Sequence, residues 1–274
     1  MKTHLILSFC TALIYCASCS NDTEQIIEPQ APKLNVNDSL AIVDIWEKAD
    51  GKNWANKWDL SDISTWNGAR LSLDEEKNEY RISELYINNG YSSKVDGIIS
   101  PRIGELSALR ALSIENIGIK GRIPTSIQNL TKLESLTIFR TSIRDTLPAC
   151  IFDLENLKSI NITNNPLIYG QIPANAANTV QQISPFYLIG CGLTGHIPPG
   201  IKADAILLDG NKFHDYPFEY LAPGQPTLHL KENQLTGSIP DSILNNPRAL
   251  DLLRYTTQNQ QKGFGFTNKP EDWR

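Results

Sequence analysis

Few residues in this sequence have the types and spacing that chemistry requires. Beyond residue 30 there are three histidines, His196, His214 and His229, and two cysteines, Cys150 and Cys191. His214-Asp215 could poise an imidazole as a general base, but no third partner accompanies it in sequence. Either cysteine could act as a nucleophile only where its thiolate is favoured. Beyond residue 30 no Cys-x-x-Cys, His-Glu-x-x-His or glycine-rich phosphate loop occurs, and these are the spacings that metal and nucleotide sites need. The expectation is a chain that is not an enzyme, with no catalytic residue, no metal ligand and no cofactor.

Composition narrows the remaining classes. The 274 residues include 25 basic and 30 acidic side chains, a net charge of −5. That balance offers no basic face, so no nucleic-acid partner is expected. Hydrophobic residues make up 41 % and 17 glycines accompany them, as in an ordinary packed domain. No apolar run reaches the ~18–20 residues of a membrane-spanning helix.

The first segment reads as an export address. Lys2 precedes an apolar stretch from Leu5 to Ala17, and polar Ser20-Asn21-Asp22-Thr23-Glu24 follows. That is the order of regions in a secretory signal, so residues 1–18 are expected to be a signal peptide. Cys16-Ala17-Ser18-Cys19 resembles a bacterial lipobox, with Cys16 where leucine is usual. The resemblance implies cleavage before Cys19, lipidation of Cys19, and an exported outer-membrane lipoprotein at the cell surface. More than one acyl chain would hold it there stably. Residues 19–37 hold Glu, Gln, Pro and Asn with few large apolar side chains and read as a flexible tether.

The body is periodic. Gly-x-Ile-Pro recurs at Gly121–Pro124, Gly170–Pro173, Gly195–Pro198 and Gly237–Pro240, with Asp145–Pro148 as a variant. The prolines at 124, 148, 173 and 198 are spaced 24, 25 and 25 residues apart. An alternating apolar segment precedes each anchor, as in Leu109-x-x-Leu112-x-Ile114 and Leu133-x-x-Leu136-x-Ile138. Alternation of this kind predicts a short strand with its apolar residues on one face.

The full unit, Leu-x-x-Leu-x-Leu-x-x-Asn-x-Leu-x-Gly-x-Ile-Pro, resembles the plant-type leucine-rich repeat, also found in bacterial surface proteins. The resemblance implies an α/β solenoid: a right-handed array with a parallel concave β-sheet, an N-terminal helical cap and a C-terminal cap. Seven units fit within residues 81–247, with strands centred on Leu85, Leu112, Leu136, Ile160, Phe186, Ile206 and Leu228. The turn asparagine is Asn165, Asn211 and Asn233, becomes Cys191 in the fifth unit, and is Gly90, Ile117 and Thr141 in the first three. The first unit carries extra residues around Tyr91–Lys94 and has Ser100 in the place of proline. In this frame His196 and His214 fall on turns and His229 on the strand face. Cys191 is expected to be a buried structural thiol, too far from Cys150 to bridge.

Residues 38–80 are expected to form the N-terminal cap. Its helix would run from Asp38 to Ala49, N-capped by Asn37 or Asp38 and ended by Gly51, with Leu40, Val43 and Trp46 on one face. The run Trp54, Trp58 and Trp66-Asn67-Gly68 resembles the cap of the plant-type proteins, which holds a disulfide. No cysteine lies between Cys19 and Cys150, so tryptophan packing would take its place. Residues 248–274 are expected to be the C-terminal cap, with Gly263-Phe264-Gly265-Phe266 closing the last coil.

Between the inward residues, each strand points others outward onto the concave face. The candidate binding residues there are Tyr86, Glu115, Phe139, Asn161, Tyr187, Ile189, Leu207, Asp209, His229 and Lys231. Asp209 and Lys231 hold equal places on adjacent strands and are expected to pair. Phe139, Tyr187, Ile189 and Leu207 make an interrupted apolar group around Ser159, Asn161 and Thr163, a dip that suits a protein loop or a sugar ring. The functional expectation is non-catalytic recognition of a protein or glycan by a surface-anchored monomer. The alternative is a secreted or surface inhibitor of a hydrolase, which the resemblance to plant-type repeat proteins also implies.

Overall fold

A computed structural model describes residues 31–89 and 95–273. The expected signal peptide, Cys19, Gly90 and the extra residues around Tyr91–Lys94 lie outside the described residues.

The seven expected strands form one parallel array. In chain order the strands are β1 (Lys33–Leu34), β2 (Ala69–Asp74), β3 (Glu79–Asn88), β4 (Ala111–Glu115), β5 (Ser135–Phe139), β6 (Ser159–Thr163), β7 (Tyr169–Gly170), β8 (Phe186–Tyr187), β9 (Gly192–Leu193), β10 (Ala205–Leu207) and β11 (Thr227–His229). The main sheet runs β3-β4-β5-β6-β8-β10-β11, every step parallel. Leu85, Leu112, Leu136, Ile160, Phe186, Ile206 and Leu228 stand in one row across it. All seven are buried. No single coil could bury this face alone; stacking makes the core continuous. This is the α/β leucine-rich-repeat solenoid expected from the repeat period.

The fixed residues of the repeat have local causes. Gly121, Gly170, Gly195 and Gly237 all take φ between 80° and 87°, a backbone that side chains strain to adopt. Pro124, Pro148 and Pro173 precede short 3₁₀ turns at Thr125–Asn129, Ala149–Ile151 and Ala174–Asn178. Ser100 replaces proline for a reason. Its hydroxyl accepts from the Arg102 amide and donates to the Asp44 carboxylate, tying the first coil to the preceding helix.

A row of buried side chains satisfies the turn backbones. Asn165 Nδ2 donates to the carbonyls of Ile138 and Thr163, and its Oδ1 accepts from the Thr141 amide and hydroxyl. Asn211 and Asn233 repeat the pattern two and three coils on. Cys191 fills the same place with a thiol that donates to the carbonyls of Ile162 and Ile189. In the first unit Asn89, one residue before the position the repeat frame predicts, is buried and accepts from the Ala55 amide. Gln260 extends the row one rung beyond β11, donating to Leu230 O and accepting from the Leu235 amide. Around it the amides of Leu230 and Glu232 bond Thr256 O and Gln258 O, so residues 256–258 run alongside β11.

Burial pushes the Cys191 thiol up to about 11, which leaves almost no thiolate at neutral pH. Alkylation by iodoacetamide at neutral pH, read by mass spectrometry, is expected to mark the half-buried Cys150 well before the buried Cys191. Equal labelling of both in the folded chain would overturn the structural role.

The N-terminal segment departs from expectation in several places. Lys33–Leu34 lies in the stretch read as tether, yet forms β1 and pairs in parallel with Glu79 and Tyr80 of β3. Helix α1 spans Val36–Lys48 and is capped by Asn35, whose side chain accepts from the amides of Asn37 and Asp38. Its buried residues are Asp38, Ala41, Ile42 and Ile45, while Leu40 is 51 % exposed. Gly51 does not end the helix; its Cα packs against the Trp46 ring, where a Cβ would clash. β2 was not foreseen and pairs antiparallel with β3. The tryptophans do pack as expected. Trp54 meets Trp58 edge-on at 5.1 Å, and Trp58 stacks on Trp66 at 5.9 Å.

At the other end, α2 (Asp241–Leu244) and α3 (Pro247–Thr256) follow β11. The amides of Gly265 and Thr267 bond Leu235 O and Gly237 O, and Phe266 is buried.

Candidate functional site on the concave sheet

The register fixes what the concave face presents. One row reads Tyr86, Ser113, Thr137, Asn161, Tyr187, Leu207 and His229, each on the next strand. A second row runs Asn88, Glu115, Phe139 and Thr163. Ile189, Asp209 and Lys231 carry it on, since the amides of Asn164, Gly190 and Gly210 bond their carbonyls in turn.

The ten candidate residues fall into three groups. Tyr86 and Glu115 stand at the N-terminal end. The Tyr86 hydroxyl donates to Glu84 at 2.9 Å, and its ring lines a cleft of about 550 Å³ with Ile63, Trp66 and Arg70. Glu115 accepts from the Ser113 hydroxyl at 2.6 Å. Phe139 and Asn161 lie in the middle. Asn161 accepts from the Thr163 hydroxyl, which orients the polar dip. Tyr187, Ile189, Leu207, Asp209, His229 and Lys231 gather at the C-terminal end.

Two residues join these groups that sequence reasoning missed. Arg140 follows β5 with φ of 51° and sets its guanidinium 5.0 Å from the Phe139 ring centroid. A long side chain in the left-handed region carries a backbone cost, here tied to a cation held over an aromatic face. Tyr255 of α3 is 56 % exposed and leans over the end of the sheet. Its ring meets His229 edge-on at 5.6 Å and receives the Lys231 ammonium at 4.5 Å. Tyr255 lies within residues 248–274, expected as the C-terminal cap, and the packing of α3 brings it to β11.

The expected Asp209–Lys231 side-chain pair takes another form. The Asp209 carboxylate accepts from the Lys231 backbone amide at 2.7 Å, and the ammonium turns to Tyr255 instead. Burial raises the Asp209 carboxyl above its ordinary value, partly opposed by that amide. Burial also lowers the His229 imidazole, with Asp209 pulling the other way. This end of the face therefore combines apolar Tyr187, Ile189 and Leu207 with a half-buried acid, an imidazole and an ammonium.

The turn histidines make no such cluster. His196 Nδ1 lies 3.9 Å from Asp215, both well exposed, and His214 packs edge-on against Phe264. Among the described residues no three His, Cys, Asp or Glu side chains converge as a metal site would need.

No protein-family model and no curated protein matches this chain. Solved structures do. The leucine-rich-repeat ectodomain of the plant membrane receptor kinase GASSHO1/SCHENGEN3 from Arabidopsis thaliana, in complex with Casparian strip integrity factor 2, is 26 % identical with a TM-score of 0.63. The match covers 74 % of this chain and 25 % of that one. The PEPR1–AtPEP1 structure is 22 % identical over 82 % of this chain and 31 % of that one, with a TM-score of 0.58. This chain thus spans about a quarter to a third of the length of those two. A plant ice-binding protein is 19 % identical over 75 % of this chain and 82 % of that one, with a TM-score of 0.53. The strand register, the buried turn ladder and these likenesses agree: the fold is the leucine-rich-repeat solenoid of plant receptor ectodomains.

Proposed function

We propose that this chain is a non-catalytic recognition protein that binds a protein segment along its concave face and is tethered to the outer-membrane surface through Cys19. The observation that carries the reading is a half-buried set on the concave face: Phe139 under the Arg140 cation on β5, then Tyr187, Leu207 and His229 across β8, β10 and β11, with exposed Tyr255 against His229. Aromatic rings and cations are the side chains that dominate interface energetics, and solenoids bind on such concave sheets. One similar structure is a plant receptor-kinase ectodomain in complex with Casparian strip integrity factor 2, and another pairs PEPR1 with AtPEP1; both support a protein ligand over a glycan. The anchor rests on the lipobox resemblance alone.

Phe139→Ala with Tyr187→Ala is expected to weaken capture of the physiological ligand about a hundredfold while the melting temperature barely moves. The ligand would first be sought by pull-down from surface proteins, with a glycan array in parallel. Capture unchanged by the double substitution sinks the concave-site reading. Capture of glycans alone replaces the protein segment as ligand. Detergent-phase partitioning that Cys19→Ser removes supports the anchor, and partitioning that survives it rejects the anchor.

A further inference from the structure

The two ends of the main sheet are finished differently. At the C-terminal end, residues 256–258 take up the outward amides of β11's coil. At the other end β2 is the edge, and among the described residues its one strand neighbour is β3. An uncovered edge strand presents a row of backbone donors and acceptors to any chain that can pair with it.

We propose that β2 pairs with β2 of a second copy of this chain, antiparallel about a two-fold axis at Ser72. The segment Arg70-Leu71-Ser72-Leu73-Asp74 is self-complementary in that arrangement. With Ser72 facing Ser72 of the other copy, Arg70 faces Asp74 and Leu71 faces Leu73, each pair occurring twice. Facing residues on antiparallel strands share a face of the sheet, so each charge meets its opposite and each leucine meets a leucine. The register also matches the backbone. Facing positions differ by an even number, so the alternate residues that turn their amides outward meet the same set on the other copy. An interface of this kind is isologous and closes at two subunits.

The side chains on β2 are placed for it. The Arg70 side chain is 71 % exposed, with Glu84 at 3.3 Å and the Tyr86 ring beneath its guanidinium. Leu73 is 46 % exposed beside Tyr80 at 37 %, an apolar pair that the second copy's Leu71 would cover. The sequence alone gave no reason to expect more than a monomer, because β2 is not visible in the repeat pattern. This proposal does not depend on the concave ligand.

Sedimentation velocity of the full chain over a concentration series tests it. The chain is expected to form a reversible dimer. Arg70→Asp or Asp74→Arg alone sets like charges face to face and is expected to weaken the dimer about tenfold. The charge swap carrying both substitutions restores the facing pairs and is expected to recover the affinity. Leu73→Lys, a charge on the exposed edge, should give monomer while the circular dichroism spectrum stays that of the parent. A parent chain that remains monomeric at submillimolar concentration overturns the proposal. So does a dimer indifferent to the single reversals, or one that the swap fails to restore.

Discussion

Asp38→Ala is expected to lower the stability of the chain by about 3–5 kcal/mol, the range for removing one partner of a buried ion pair. Asp38 is fully buried although it sits in the first turn of α1. Its carboxylate takes two bonds from the Arg81 guanidinium, at 3.0 and 2.9 Å, and a third from the Ile82 amide at 2.8 Å. These three bonds join the N-terminal helix to β3 across more than forty residues of chain. Without the carboxylate, Arg81, whose side chain is 12 % exposed, keeps the Ser107 hydroxyl and the more distant charges of Asp74 and Glu79 but loses its two direct bonds to a buried anion. The Ile82 amide would lose its acceptor in the core. Thermal unfolding followed by circular dichroism should show a drop on the order of 10 °C, given ~2–4 °C per kcal/mol for a chain of this size. Asp38→Ala with Arg81→Met removes both partners and is expected to recover most of the loss. If Asp38→Ala melts with the parent, this pair does not hold the N-terminal segment in place.

The second large effect is expected at Asn165. Its amide makes four bonds at once, to Ile138 O, Thr163 O, the Thr141 amide and the Thr141 hydroxyl, at 2.7 to 2.9 Å. Asn165→Ala leaves all four groups without these bonds in a place water does not reach. A group left without a partner costs ~1–3 kcal/mol; Thr163 O keeps the Arg140 amide at 3.2 Å, and partial relaxation should hold the sum to about 3–4 kcal/mol. Urea unfolding should show this as a lower midpoint, with Asn129→Ala on an exposed convex turn as the near-neutral control. Cys191→Asn makes the converse test. It puts an amide where the thiol now donates, and stability should hold or rise. An Asn165→Ala chain no weaker than the Asn129 control would mean that the ladder contributes little.

The array was legible in the sequence because its physics is local and repeated. Alternating leucines declare strands, Gly-x-Ile-Pro declares left-handed turns, and the spacing declares stacking. The rows of the concave face follow from alternation, so the candidate residues landed where the register puts them. What could not be read depends on contacts distant in sequence or on a residue in an unexpected environment. The apolar pattern of α1 points to Leu40, whereas Asp38, a charge made tolerable by Arg81 and the Ile82 amide, occupies the core position and Leu40 turns outward. β2 was missed because a hairpin leaves no mark on a 24-residue period. A frame counted from Leu85 predicts the first ladder residue at position 90, whereas the buried amide of that unit is Asn89. Tyr255 reaches the sheet only through the packing of α3, and Arg140 only through its left-handed backbone.

The rows that cross the concave sheet also make it a ruler. From Tyr86 to His229 there are six strand-to-strand steps. At ~4.8 Å per step the distance is roughly 29 Å, the reach of about nine residues of extended chain at ~3.3 Å each. A shorter segment cannot touch both Tyr86 and His229, whatever its affinity for either. Adding or deleting one repeat would change that footprint by a single step of about one and a half residues. For the proposed concave ligand, length would be measured in whole coils.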